Sequence, residues 1–305
     1  MMHLIIPTGT QVVTRTELRS ATGELLHAAG SVGVIVEAPL DGTHSYRVRF
    51  ADGTEGAFSR QQLSLLKQFK GEGIGAENPH AAEIDYYSFV IYRCVVGSRA
   101  YGLEGEESDT DRRGIYLPPA ELHWSLYGVP EQLENPENEE AYWELQKFLV
   151  LALKANPNIL ECLYTPLVEL ATPLAQELLA IRESFLSKVI YQTYNGYVMS
   201  QFKKLEQDLR ARGEIKWKHA MHLIRLLLSG VTALKEGVVP VRVGEHREQL
   251  LAIKRGELPW AEVNTWRLSL HKEFDAAYAA TKLPERPDYE KVNTFLVRAR
   301  GTMVR

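Results

Sequence analysis

A single break most constrains what this chain can fold into. Residues 67–84, KQFKGEGIGAENPHAAEI, carry three glycines and a proline and lack apolar periodicity, the marks of a linker. Before the break the sequence alternates with period two. After it, apolar residues come first in strand-length runs and then at helical spacing. One repeating architecture cannot follow both periods. The sequence therefore predicts an α+β chain in parts: a small β domain over 1–70, a linker over 71–85, an α/β core over 86–170 and a helical region over 171–305.

In the first part, TQVVT, GSVGVIVEA, SYRVRF and TEGAF are short runs rich in β-branched and aromatic residues. Turn signals separate them at Thr22-Gly23, Leu40-Asp41-Gly42 and Ala51-Asp52-Gly53. Within SYRVRF, Tyr46, Val48 and Phe50 share one face, and Arg47 and Arg49 share the other, a solvated surface or a contact for a partner. So many short strands in so few residues predict a small β-barrel-like, SH3-like or Tudor-like domain.

From Tyr86 the apolar run FVIYRCVVGS reads as a buried strand that stops at Gly97-Ser98. DTDRRGIYLP is a second strand, closed by Pro118-Pro119. EEAYW is a third, and it leads without a breaker into ELQKFLVLALKAN, where Leu145, Phe148, Leu149 and Ala152 recur at helical spacing. Asn156-Pro157 ends that helix and opens the next, as cap and first-turn residue. Beyond Thr172 four long segments read as helices: PLAQELLAIRESFLSKVIYQTY, GYVMSQFKKLEQDLR, KHAMHLIRLLLSGVTALKEG and WAEVNTWRLSLHKEFDAAYAATKL.

Composition narrows the functional classes. Apolar residues make up 45% and charged residues 24% of the 305, which suits a globular protein and excludes a disordered or collagen-like one. No run is long and apolar enough to span a bilayer, and the short apolar patch of MMHLIIPTGTQ lacks the basic flank of a signal peptide. Cys94 and Cys162 are the two cysteines, too few to staple the chain, so a reducing cytoplasmic compartment is expected. With 35 basic and 39 acidic residues the net charge is −4. Contact with nucleic acid must then come from local basic patches.

The chemistry is concentrated in VVGSRAYGLEGEESDTDRRGIYLPP, Val95 to Pro119. Gly97-Ser98 at a strand end lets backbone N–H groups approach a phosphate. Ten residues after Ser98 begins Ser108-Asp109-Thr110, with Asp111 next. Read as a strand, this segment projects the Asp109 and Asp111 carboxylates side by side. Paired carboxylates repel unless a cation lies between them, and Mg²⁺ is held by one or two carboxylates plus substrate phosphates. Each element alone is common; together they equip a chain for nucleotidyl transfer by in-line displacement. Lys218, His222 and Arg225 fall at i, i+4 and i+7, one helix stripe that suits a triphosphate, an RNA phosphate or solvent. Arg99 is a further phosphate candidate. Arg112 and Arg113 stand behind it, and Arg113 shares the Asp109 and Asp111 face as a charge partner.

This pattern resembles the polymerase-β-type nucleotidyltransferase superfamily, whose signature is Gly-Ser, a spacer and Asp-x-Asp. The longer context, GSRAYGLEGEESDTDRRGIYLPP followed by LQKFLVLALKANPNILECLYTP, is similar to the branch of predicted nucleotidyltransferases assigned to RNA repair. The resemblance covers about residues 86–300 and leaves the N-terminal β domain outside it. It implies transfer of a nucleoside monophosphate from an NTP to a hydroxyl, with Asp109 and Asp111 as ligands of Mg²⁺ or Mn²⁺. It also implies a third carboxylate on a later strand. Glu139 is the closest match by position and Glu140 and Glu144 are alternatives, although the family usually places Asp there. Glu140 and Glu144 share one strand face and Glu139 lies on the other, while Glu144 also suits a helix N-terminus. For nucleotide binding the resemblance points to Gly97, Ser98, Arg99, Lys218, His222 and Arg225, and for the acceptor to an RNA end, tRNA above all. A protein or small-molecule acceptor, or a nucleotide- or RNA-binding module without catalysis, are the alternatives.

Overall fold

The computed structural model describes residues 6–20, 22–39, 45–67, 69, 84–105, 108–212 and 215–304. They belong to two compact units, 1–83 and 84–305. The Leu40-Asp41-Gly42 turn and the expected linker up to Glu83 lie outside the described residues.

In the first unit the expected strands are β1 (Gln11–Thr14), β4 (Val32–Glu37), β5 (Tyr46–Phe50) and β6 (Glu55–Phe58), and β7 (Leu63–Leu65) joins them. All their pairings are antiparallel, in the order β6-β5-β4-β1-β7. β2 (Leu18–Arg19) and β3 (Leu25–His27) form a separate two-stranded ladder, packed on this sheet through Leu18 and through His27 stacked on Phe50. Period-two alternation is realised in β5, where Tyr46, Val48 and Phe50 are buried among Val12, Ile35, Phe58 and Leu63. The outward arginines meet acids across the ladder: Arg49 pairs with Glu55 at 2.7 Å and Arg47 with Glu37 at 3.5 Å. The β-barrel-like expectation is corrected on closure alone: the sheet is not a closed barrel. β6 and β7 are the sheet edges, and no ladder joins them among the described residues. The sheet's strands are three to six residues long, and closure needs a continuous ladder.

The second unit is built on a sheet ordered β10-β11-β9-β8-β12. Its strands are β8 (Val90–Val95), β9 (Arg112–Tyr116), β10 (Gln132–Asn135), β11 (Glu140–Glu144) and β12 (Val168–Ala171). The β9–β11 pair is parallel and the others antiparallel. At its centre Gly114 has no room for a side chain: a Cβ there would stand 1.9 Å from the Tyr92 carbonyl oxygen. Alternation sends Ile115 into the large core and Tyr116 into a smaller cluster with Tyr86, Leu133 and Tyr142.

Ten helices follow the chain order among the described residues: α1 (Gly97–Tyr101), α2 (Ala120–Trp124), α3 (Leu145–Leu153), α4 (Pro157–Tyr164), α5 (Pro173–Ala180), α6 (Val189–Arg212), α7 (Trp217–Glu236), α8 (Arg247–Arg255), α9 (Trp260–Ala280) and α10 (Tyr289–Gly301). The expected junction at Asn156-Pro157 forms: the Asn156 side chain accepts from the Asn158 and Ile159 N–H groups, and Pro157 opens α4. The first helix of the tail is shorter than its spacing predicts. It stops at Ala180, a 3₁₀ turn spans Arg182–Phe185, and α6 begins at Val189 and runs straight through Gly196. α7 lies between α6, α8 and α9. Gly230 allows that packing, because a Cβ would come within 2.8 Å of the Phe274 ring and 3.1 Å of Tyr194. One continuous buried core runs from Tyr92 to Ala299, and the sequence boundary at 170 falls inside it. No helix among the described residues is long and apolar enough to cross a membrane.

Candidate active site

Strand β8 ends at Val95, and the next residues reverse the chain into α1. Gly97 makes this possible. Its φ is +71°, a left-handed conformation that disfavours any residue with a Cβ. A Cβ would also lie 2.6 Å from Oδ2 of Asp111. The glycine of Gly-Ser is therefore explained by the second aspartate of Asp-x-Asp. Val96 N–H donates to the Asp111 carbonyl at 2.9 Å and fixes the two segments side by side. No side chain caps the first turn of α1, so its leading N–H groups remain available to an acceptor.

The aspartates are placed by a loop. β9 starts at Arg112, so Ser108 to Asp111 precede the strand that the sequence predicts for them. Arg99 holds this loop: its Nε donates to the Asp109 carbonyl at 3.2 Å and its Nη2 to the Ser108 carbonyl at 2.7 Å. The Ser108 hydroxyl oxygen accepts from Gly105 N–H at 2.8 Å. Arg113 donates to Asp111 Oδ1 at 3.2 Å, the charge pairing expected of it. Arg112 points away and pairs with Glu169 at 2.9 Å.

These segments open onto a cleft of about 340 Å³. Gly97, Ser98, Asp109 and Asp111 line one wall, and Lys218, Met221 and His222 of α7 line another, with Lys254 of α8 beside them. The Asp-x-Asp carboxylates, Gly-Ser and two of the three stripe residues are thus brought together. Burial, reinforced by the charges of Arg225 and Lys218, pushes the His222 imidazole down to about 4. It is neutral at pH 7.

Three candidates are placed elsewhere. Arg99 is turned onto the loop backbone, as above. Arg225 is buried and directed at Glu161 of α4, which its Nη1 reaches at 2.6 Å. The stripe's third member is therefore a core cation and no part of the cleft wall; the stripe crosses from rim to interior between His222 and Arg225. Glu139 is an exposed turn residue with φ +54°, one place before β11. Since Glu140 pairs with Arg112 in parallel register, Glu139 takes the position beside Asp111. Its carbonyl accepts from Arg112 N–H at 3.1 Å and from Arg113 Nη1 at 2.8 Å. It does not line the cleft. Glu144 behaves as the helix-terminal carboxylate: it caps α3 by accepting from Gln146 and Lys147 N–H, and it pairs with Arg300 at 3.1 Å.

Tyr101, Leu103, Ser108, Met221 and Lys254 also line the cleft, beyond the residues singled out in the sequence. Ser108 belongs to the motif read in the sequence and Tyr101 lies one helical turn after Gly97, whereas Lys254 arrives from an amphipathic helix with no local motif. Among the described residues no group of three or more His, Cys, Asp or Glu side chains is arranged to hold a metal. The donor set is instead two carboxylates, Asp109 and Asp111, with Asp111 Oδ2 in a space that only a glycine leaves open. Two carboxylates open to substrate oxygens fit Mg²⁺ or Mn²⁺, which complete their shells with phosphates and water.

A family model described as RlaP, RNA repair pathway DNA polymerase beta family, matches residues 74–298. The chain belongs to this family. The match takes in the Gly-Ser turn, the Asp-x-Asp loop, α4 and the helices up to α10. The chain is also similar to a protein of Bacillus subtilis (strain 168) named "Uncharacterized protein YcgL", 29% identical over 163 residues. That alignment covers 52% of this chain and 61% of the relative.

Proposed function

We propose that this member of the RlaP family is a nucleotidyltransferase that moves a nucleoside monophosphate from an NTP to a hydroxyl at an RNA end, tRNA being the favoured acceptor. The observation that carries the reading is the contact between Gly97 and Asp111, which sets a phosphate turn against a carboxylate pair in one cleft. The RNA acceptor rests on the family description.

In this reading Gly97 and Ser98 bind the triphosphate through backbone N–H groups. Lys218 and Lys254 supply positive charge from the opposite wall, and neutral His222 offers a hydrogen bond. Asp109 and Asp111 would hold Mg²⁺ or Mn²⁺. Such an ion, when bound, neutralises charge on the reacting phosphoryl oxygens and acidifies the attacking hydroxyl. The acceptor oxygen forms a bond to the α-phosphorus as the bond to the bridging oxygen breaks. Pyrophosphate leaves with the electron pair and the hydroxyl proton passes to water. Arg113 keeps Asp111 turned toward Gly97, and Arg99 keeps the Asp109 loop closed.

The test is incubation of the purified protein with Mg²⁺ and each α-labelled NTP in turn, offering tRNA, total RNA and protein as acceptors. Label on RNA is the expected result. Label on protein alone would overturn the acceptor, and no label with any acceptor would overturn the reaction.

A further inference from the structure

At the inner wall of the cleft, three side chains close a triangle. Tyr101 of α1 donates its hydroxyl to Glu161 Oε2 at 2.7 Å. Arg225 of α7 donates to Glu161 Oε1 at 2.6 Å. The Arg225 guanidinium lies 3.7 Å above the centre of the Tyr101 ring. Each residue touches both others, and none is more than 7% exposed. They come from three helices, Glu161 lying 60 positions after Tyr101 and Arg225 64 positions after Glu161.

We infer that Tyr101, Glu161 and Arg225 are positioning residues, which clamp the Gly97–Ser98 turn against α7 so that Lys218 and His222 stand across the cleft from Asp109 and Asp111. The inference rests on nucleotidyl transfer at that cleft. Tyr101 itself lines the cleft, three residues after Ser98, and Arg225 lies three residues after His222, so each clamp residue is one helical turn from another cleft residue. The far end of α1 is tied to the segment that leads into α8: Val243 N–H donates to the Tyr101 carbonyl at 3.1 Å, and Arg247 Nε to the Gly102 carbonyl at 2.8 Å. α8 in turn carries Lys254. The three walls of the cleft are thereby fixed relative to the phosphate turn.

Stability alone does not account for this arrangement. A buried ion pair must overcome the desolvation of both charges, and a hydrophobic trio of like volume packs as well or better. The surroundings add a further cost, because Arg225 Nε is buried without a hydrogen-bond partner among the described residues. What the polar triangle provides and an apolar one does not is directional bonding at fixed angles.

The test compares the wild-type protein with Tyr101→Phe, Glu161→Gln and the neutral pair Glu161→Gln/Arg225→Met. The readouts are kcat and KM for the NTP, thermal stability, and amide hydrogen exchange in α1 and in α3. Tyr101→Phe keeps the ion pair, and so remains informative if the charge variants fold poorly. For Tyr101→Phe and Glu161→Gln we expect kcat to fall at least about tenfold with KM within about threefold, the pattern of lost transition-state alignment. Exchange should quicken in α1 but not in α3. In the neutral pair, stability should recover while kcat stays low. Recovery of kcat together with stability would reduce the triangle to packing and overturn the inference. So would unchanged kcat and unchanged α1 exchange in Tyr101→Phe and Glu161→Gln. A wild-type protein that transfers no label to any acceptor, yet loses α1 protection in the variants, would instead break the functional reading and leave the clamp as structure only.

Discussion

The two ends of the β9–β11 ladder carry acids with opposite fates. At the N-terminal end, Asp111 stands half-exposed beside Gly97 with one oxygen turned into the cleft. At the C-terminal end, Glu144 is buried, with one oxygen capping α3 and the other held by Arg300 at 3.1 Å. His123 lies within 3.7 Å of it, its own pKa lowered mainly by burial. Both oxygens of Glu144 are engaged by the fold, whereas Asp111 Oδ2 has no hydrogen-bond partner among the described residues. The contrast separates a carboxylate that organises structure from one left open to chemistry, though both sit at the edge of neighbouring strands.

The largest effect that sharpens this contrast is expected from Glu144→Ala. Loss of a helix cap and of the Arg300 ion pair, with Arg300 left to Gln146 and solvent, should cost about 2 kcal/mol, read as a lower urea midpoint. Transfer per folded molecule should stay the same, and a selective loss of transfer would move Glu144 into the active site. Gly97→Ala should do the reverse. It forces a Cβ into a left-handed residue against Asp111, so kcat/KM should drop about thirtyfold, or about 2 kcal/mol. The global fold should persist.

A smaller effect concerns pH. His222, held near about 4 in the fold by burial first and by Arg225 and Lys218 next, has an unfolded value of about 6.5. The unfolded chain therefore binds a proton that the folded one resists. The stabilising contribution is complete above about pH 6.5 and is lost as pH falls toward 4. His222→Asn should flatten that slope in a series of unfolding curves. NTP binding should raise the imidazole's NMR midpoint, because a triphosphate favours its charged form. The smallest effect is in the first unit: Arg49→Ala removes an exposed cross-strand pair and should change stability by no more than about 0.5 kcal/mol.

The cleft was legible in the sequence to the extent that its chemistry is local. Gly97-Ser98 and Asp109-x-Asp111 lie on one turn and the loop before the next strand, and the antiparallel pairing of β8 with β9 brings them side by side. The strand at 46–50 and the Asn156-Pro157 junction were legible for the same reason, since alternation and capping act within a few residues. Features set by distant partners were not. Helical spacing puts Arg225 in line with Lys218 and His222, but its burial depends on Glu161, 64 residues away. The aspartates are aligned by Arg99 and Val96 bonding to the loop, not by strand alternation. Edge strands β6 and β7 carry no sign in their residues that the sheet between them stays open.

The most direct test of the central claim is the transfer rate of Asp111→Ala and Asp109→Ala beside wild type, with thermal unfolding recorded on the same samples. Both side chains face the cleft rather than the core. Each variant should therefore melt within a few degrees of wild type and lose transfer by at least about a hundredfold, the scale of removing a major electrostatic stabiliser. Near-normal, Mg²⁺-dependent transfer by either folded variant would contradict the account.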